Sequence, residues 1–496
     1  FCALQKEKNM KKYLILFLGL SLFITSCSDK DDEFVPEVEP VADIVVQDFM
    51  WKAMNFWYFW QQDVPNLADT KFTSNAEYIA FLSSVEDPGE FFDSKLRFSE
   101  DRFSFYSDDY KELVQNFAGV SKSNGLEFGL INSASRGIFG IVRYVVPNSD
   151  ASTKDISRGE IFNGVGGVTL TLDNYIDLLF SDNDSYTLNM ADITATTITR
   201  NGKDVTLTKQ EGLSENPVFI TKTIETGDKK IGYLMYNQFT NEYDADLNDA
   251  FGQLKADGVT DLVLDFRYNP GGSVNTARLL SSMVYGANTD ELFLRQRWND
   301  KLQGQFSASD LEDYFASTLS DGSALNTLNL SKVYVLVTRS TASASELVIN
   351  GLAPYIDVFL IGTTTTGKNE FSITMVDDPN RSGAPFIYTQ SREGSINPEN
   401  SWAIQPLVGR NENADGFSDY TAGFDPDIEL AEDLMNYNVL GDENEPLLAR
   451  AIQEITGVAA KRDFTVTSPT DLMTSSKMFT PLKDNMYLDK NIHINF

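Results

Sequence analysis

The sequence predicts a multidomain α/β protein: a core of alternating strands and helices, preceded by a β-rich domain and, before that, a helical one. Three observations predict it. The chain has 496 residues, too many for one ordinary hydrophobic core. From about Asn216 onward, apolar strand-like runs alternate with helical faces, as in an α/β core. Before that, Ser121 to Gln210 breaks into short alternating runs separated by turn residues.

The elements follow in order. Residues 1–27 have the layout of an export signal: Met10-Lys-Lys, an apolar run from Tyr13 to Phe23, then Ile24-Thr25-Ser26-Cys27. The run is too short for a stable membrane span. Its ending resembles a bacterial lipobox, which implies lipidation of Cys27 and anchoring in the bacterial cell envelope, at the outer membrane or cell surface. Residues 1–9 precede a good start methionine and read as over-extended translation. Residues 28–40 are acidic and proline-containing, as expected of a solvated tether. In 41–115, Ile44, Val45, Phe49, Met50, Met54, Trp57 and Tyr58 recur at helical spacing, and a second helix starts near Asn75. Trp51, Trp57 and Trp60 read as packing residues of a small helical domain.

Residues 116–212 carry Gly125-Leu-Glu-Phe-Gly129, the strand Ile141–Val146, a Pro147 turn, and Arg158-Gly-Glu before another strand. This order is similar to that of a PDZ domain, which takes an extended C-terminus as an added strand and holds its carboxylate on loop amides. The resemblance implies a carboxylate loop at Gly125, Leu126, Phe128 and Gly129. Glu160 stands where aspartate is more usual.

In 213–457, strands are expected at Ile231–Tyr236, Asp261–Phe266, Lys332–Val337 and Val358–Ile361. Helices are expected through Leu247, Phe251 and Leu254, and over Ala277–Tyr285, Ala344–Tyr355 and Pro446–Thr456. The last has proline in its first turn and Gly457 just past its end. Residues 458–496 are left as a C-terminal extension.

Composition narrows the chemistry. A net charge of −32 disfavours nucleic acid as a partner, which requires a basic face. The single histidine, His493, lies in a polar terminal stretch, so neither a Ser-His-Asp triad nor a histidine-rich zinc site is expected. The only cysteines, Cys2 and Cys27, are both near the start, so no disulfide frames the fold. No metal or organic cofactor is called for. Proton transfer falls to lysine, carboxylate or tyrosine.

Three segments can supply it. Leu264-Asp-Phe-Arg-Tyr-Asn-Pro-Gly-Gly272 runs a buried strand into a two-glycine turn whose amides could face an oxyanion. Ser340-Thr-Ala-Ser-Ala-Ser-Glu346 joins a strand to a helix, and Ser343 with Glu346 has capping-box spacing. A serine there would gain from the helix dipole, with the Ala344 amide beside it. Gly362-Thr-Thr-Thr-Thr-Gly-Lys368 imitates a phosphate-binding loop, but Asn369 stands where Ser or Thr must bind magnesium, and Phe371, Ile373 and Met375 alternate like a strand. Asn411 to Gly416 imitates a calcium loop, yet Ala422 occupies the position of its bidentate glutamate.

The three segments, in this order after a PDZ-like domain, resemble the carboxyl-terminal processing (tail-specific) peptidase family. In that family the serine before Ala-Ser-Glu is the nucleophile and a lysine 25 residues later is the base, a spacing that matches Ser343 and Lys368. The resemblance implies a ClpP- and crotonase-like core, an oxyanion hole from Ala344 and Gly271 or Gly272, and protein or peptide substrates. Many members place a glutamine four residues after the lysine; here Ser372 stands there as the lysine-orienting candidate. That departure leaves an alternative open, a non-catalytic peptide-binding lipoprotein that retains the fold.

Overall fold

The computed structural model describes residues 44–194, 196–458, 463–480, 483–490, 492 and 494. Cys27, the signal and tether segments and His493 lie outside the described residues.

The centre is a six-stranded sheet in the order Val218–Thr226, Lys229–Tyr236, Asp261–Asp265, Lys332–Val337, Asp357–Gly362 and Ile428–Glu429. The first pair is antiparallel and every later pair parallel. Alternation along each strand divides its side chains between two cores. Leu262, Leu264, Val333, Val335 and Val337 face a core shared with Leu247, Phe251, Leu280 and Leu347 of the helices Asp244–Asp257, Val274–Tyr285 and Ala344–Leu352. Val263, Tyr334 and Leu336 face the other side, against Leu447, Leu448 and Ala451 of the helix Pro446–Thr456. Each fully buried aliphatic side chain contributes about 1.5–3 kcal/mol, so a one-residue slip of register would forfeit both faces.

Because the parallel strands run the same way, the chain leaves Asp265, Val337 and Gly362 at one edge of the sheet. The Gly271-Gly272 turn, Ser343 and Lys368 follow these three ends. In open parallel sheets this C-terminal edge is where ligands are held.

A second six-stranded sheet stands beside that edge, in the order Gly272–Ser273, Met486–Tyr487, Glu370–Ser372, Leu407–Glu412, Leu292–Trp298 and Glu312–Tyr314. The single strand expected through Phe371, Ile373 and Met375 is divided. Glu370–Ser372 joins this sheet, whereas Met375–Val376 pairs with Ala403–Gln405 in a three-stranded sheet. The register shift between Phe371 and Ser372 marks where the chain starts to leave the first ladder.

The β-rich region forms a sheet in the order Thr474–Ser475, Leu126–Ser133, Gly137–Val145, Ile161–Val165, Ser185–Ile193 and Ile198–Thr208. It has its own core around Phe128, Leu130, Phe162, Leu188 and Leu207. Leu126, Phe128 and Gly129 lie in a strand rather than in a loop, because eight residues from Leu126 pair with Gly137–Val145 across one register shift after Glu127.

Two flanking regions pack into the central core. The helices Val45–Trp57 and Asn75–Leu82 do not close a core of their own: Phe49, Met54, Trp57 and Leu82 share the core of Leu264 and Leu280. The C-terminal extension packs there as well. Met486, Leu488, Ile492 and Ile494 are buried in that same core, and Met486–Tyr487 lies between two strands of the second sheet.

Candidate active site

Ser343 opens the helix Ala344–Leu352 with φ 59° and ψ −113°, a conformation that costs a non-glycine residue about 1–3 kcal/mol. The capping box forms as its spacing predicts, with Glu346 Oε2 accepting the Ser343 amide at 2.8 Å. Glu346 does more than cap. Its carboxylate also accepts Thr365 Oγ1 at 2.5 Å, the Gly367 amide at 2.6 Å and the Lys368 amide at 2.9 Å. One buried side chain therefore ties the serine loop to the lysine loop. Gly367 permits the turn: its φ is +81°, and a Cβ would lie 2.3 Å from Thr421 O.

Lys368 is 1% exposed, and among the described residues it forms no ion pair. Its Nζ donates to the Asp484 carbonyl at 2.6 Å and approaches Asn485 Oδ1 at 3.3 Å. The Phe103 ring lies 4.9 Å away, and Arg102 Nη2 donates to Gly367 O at 2.5 Å. Burial brings the pKa of the ammonium down to about 8, although Asp484, Glu370, Asp101 and Glu346 pull the other way. Arg102 and Phe103, from the N-terminal region, thus wall the lysine. Sequence reasoning missed both, because nothing local links them to a loop more than 250 residues later.

The Ser343 hydroxyl donates to the same Asp484 carbonyl, at 2.9 Å. The two residues chosen by their 25-residue spacing therefore converge on one oxygen atom.

The turn distinguishes its two glycines. The Gly271 amide is closed onto Asn269 Oδ1 at 2.9 Å, so it is engaged inside the turn and not available to an oxyanion. At Gly272, both flanking groups bond Phe239: the Phe239 amide donates to Gly271 O, and the Ser273 amide donates to Phe239 O. The Gly272 amide consequently faces the opposite side, toward the Asn485–Met486 peptide with which it is in register. A Cβ at Gly271 would lie 2.5 Å from Asn485 O and 3.0 Å from the Ala344 amide. As first residue of its helix, Ala344 has no acceptor within that helix. The amides of Gly272 and Ala344 thus flank one point.

Ser372 does not touch the lysine. Its hydroxyl lies 2.8 Å from Asn485 Oδ1 and 3.0 Å from Met486 O, and it accepts Gln405 Nε2 at 3.0 Å. The four-residue spacing placed it on the right strand, but Asn485 stands between it and Lys368. Gln405 had no signal in the sequence, since it arrives on a strand from another sheet.

Residues 230–429 match Peptidase family S41, and residues 45–105 match the Peptidase S41 N-terminal domain. Together these matches span more than half of the chain. This chain belongs to peptidase family S41. The family region includes the turn, Ser343 and Lys368. Among curated proteins, the chain is 32% identical over 178 residues to a "Probable CtpA-like serine protease" of Staphylococcus aureus (strain COL), covering 34% of this chain and 33% of that protein. It is 30% identical over 166 residues to a "Carboxyl-terminal-processing protease" of Picosynechococcus sp., covering 32% and 34%. The chain thus matches about a third of the length of these relatives. A solved structure from Bacteroides fragilis NCTC 9343 that carries the S41 protease name aligns with a TM-score of 0.64 at 27% identity, over 86% of this chain and 99% of that one.

Proposed function

We propose that this S41 chain is a serine endopeptidase that hydrolyses protein substrates, with Ser343 as nucleophile and Lys368 as general base. The observation that carries the reading is the convergence of the Ser343 hydroxyl and the buried, unpaired Lys368 amine on one peptide carbonyl. Neutral Lys368 takes the proton of Ser343 Oγ as that oxygen attacks the scissile carbonyl carbon. The developing oxyanion is held by the amides of Ala344 and Gly272. Collapse expels the amine, which leaves with the proton carried by Lys368. Water then attacks the acyl-enzyme, again with the lysine as base.

Lysine suits this task here because its environment disfavours the charged form. An ordinary lysine, with a pKa of about 10.4, would be protonated at neutral pH. Ser372 and Gln405 lie farther out, behind Asn485, and do not contact the amine themselves.

The edge of the Leu126–Ser133 strand accepts Thr474–Ser475 as an added strand, and we assign to the surrounding sheet a PDZ-like role in which substrate C-termini pair there instead. Lipid anchoring through Cys27 in the cell envelope belongs to the same reading. Among the described residues no helix is long and apolar enough to cross a membrane, and a Cys27→Ala chain should leave the membrane fraction.

The test is prolonged exposure to a fluorophosphonate, followed by peptide mapping. Label on Ser343, lost in Ser343→Ala together with cleavage of an unfolded protein substrate, is expected. No label on Ser343 after exhaustive exposure, or cleavage retained by Ser343→Ala, would overturn the reading and favour a peptide-binding protein.

A further inference from the structure

The carbonyl held by both Ser343 and Lys368 belongs to the chain itself. After Leu472 the described residues make two strand additions. Thr474 and Ser475 pair antiparallel with Leu130 and Gly129, on the edge of the β-rich sheet. Ser476 Oγ accepts the Phe128 amide at 2.9 Å and donates to Glu127 Oε2 at 2.6 Å, while the Phe479 ring stacks on Phe180 at 3.7 Å between centroids. Farther on, Met486 and Tyr487 pair in parallel with Gly272 and Ser273 on one side, and Tyr487 pairs with Ser372 on the other. Between these additions, Asp484 lines one cavity of ≈ 390 Å³ together with Lys368 and a second of ≈ 290 Å³ together with Pro270 and Ser340.

We infer that the segment described over residues 472–480 and 483–490 is a tethered pseudosubstrate that occupies both the peptide edge and the catalytic cleft and keeps the enzyme latent until it is displaced. The inference rests on the peptidase reading and adds its regulation.

The contacts are those of an occupant that binds without reacting. In attack, Oγ must direct a lone pair at a carbonyl carbon and give its proton to the lysine. Here the Oγ proton is directed at a carbonyl oxygen, and Lys368 Nζ donates to that same oxygen. The Asp484 carbonyl stands between acid and base and holds both as donors, so no proton passes between them. The next carbonyl, of Asn485, fills the point flanked by the Gly272 and Ala344 amides, where a substrate oxyanion would develop. Asn485 Oδ1 meanwhile takes contacts from both Lys368 and Ser372.

The segment is held unevenly. Its later part is buried, with Met486 at 0% exposure, whereas Phe479 is 37% exposed and Ser476 sits at the sheet edge. A peptide arriving at the edge of Leu126–Ser133 would compete first with Thr474–Ser476. Release there would loosen the tether that leads to Asp484, which links occupancy of the β-rich sheet to opening of the dyad.

The experiment compares rates of fluorophosphonate labelling at Ser343 in the full chain and in a Ser476→Ala, Phe479→Ala variant, whose changes leave the buried strand intact. The variant is expected to label at least 10-fold faster, and a synthetic peptide of residues 472–490 should slow it again. A second variant locks the segment instead. Thr474→Cys with Leu130→Cys joins a directly paired position, where Cα atoms about 4.5–5.5 Å apart suit a disulfide. The oxidised form should be unreactive and should recover on reduction, so the reduced form is its own control for the trimmed Leu130. Equal rapid labelling of wild type, loosened and locked forms would overturn the latency while leaving the peptidase reading intact. So would self-cleavage of the Asn485–Met486 bond by the wild type, since the segment would then be turned over. No labelling of Ser343 in any form would overturn both.

Discussion

Two buried cations on neighbouring parts of this fold meet opposite fates. Arg267, wholly buried behind the glycine turn, is surrounded by carboxylates: Asp265 at 2.7 Å, Glu445 at 2.7 Å and Glu432 at 3.3 Å. Burial alone would lower its pKa, but these partners outweigh it and hold the guanidinium charged. Lys368, equally buried, contacts amide oxygens and an aromatic ring, forms no ion pair among the described residues, and burial wins. The contrast shows what pairing decides. A buried cation surrounded by carboxylates is structural, whereas one left without them can give up its proton near neutrality.

Breaking the unpaired site should cost the most activity. Lys368→Ala and Ser343→Ala should each lower turnover about 10⁴-fold or more, and the double variant should fall little further, because the members of a dyad act as a unit. Lys368→Arg should be as inactive, since guanidinium does not release its proton. Steady-state cleavage rates, with circular dichroism as a check on folding, measure all of these.

Breaking the paired site should instead cost stability. Arg267→Met leaves Asp265, Glu432 and Glu445 facing one another without their shared cation, at a cost of about 3–5 kcal/mol in denaturant unfolding. Glu432 sharpens the point. Burial would raise its pKa, but Arg158 and Arg267 overcome that and bring it down to about 2. A depressed carboxylate gives stability that is present above its unfolded pKa and lost as pH falls toward 2. The acid limb of unfolding should therefore shrink in the Arg267→Met chain.

The same substitution at the unpaired site should have the opposite sign. Below pH 8, wild-type folding requires a lysine to stay charged in a buried place or to lose its proton. Lys368→Met removes that requirement and should raise stability by on the order of 1 kcal/mol at pH 7. Since the folded pKa lies below the unfolded one, the gain should fade as pH rises from 8 toward 10.4. Thermal unfolding of wild type and variant at pH 7 and pH 10 checks the sign. The smallest effect is expected at Ser372→Ala, which reaches the lysine only through Asn485 and should change turnover less than 10-fold.

How much of this was legible in the sequence depended on how local the signal was. The apolar runs in Asp261–Asp265 and Lys332–Val337 read as strands, and the structure buries their side chains on both faces of the sheet. Pro446 and Gly457 bounded their helix to the residue. The family resemblance, through its 25-residue serine-to-lysine spacing, picked out two side chains that meet at one atom. The sequence left Gly271 and Gly272 equivalent, because their difference depends on Asn269 and Phe239 rather than on the glycines. Glu346 was readable as a cap but not as the clamp on Gly367 and Lys368, whose amides reach it only in three dimensions. Residues 472–490 were least legible. Two-residue strands such as Thr474–Ser475 and Met486–Tyr487 are too short for any periodicity, so their placement is set wholly by distant edges.

The central claim is that Lys368 is a base because it is buried without a carboxylate partner. The most direct measurement is the pH dependence of acylation of Ser343 by a pH-insensitive acylating probe, in wild type and in Lys368→Met. The wild type is predicted to rise with pH along a single limb centred near 8, with that limb absent in the variant. A wild-type limb above pH 10, or a limb near 8 of undiminished amplitude in Lys368→Met, would contradict the account.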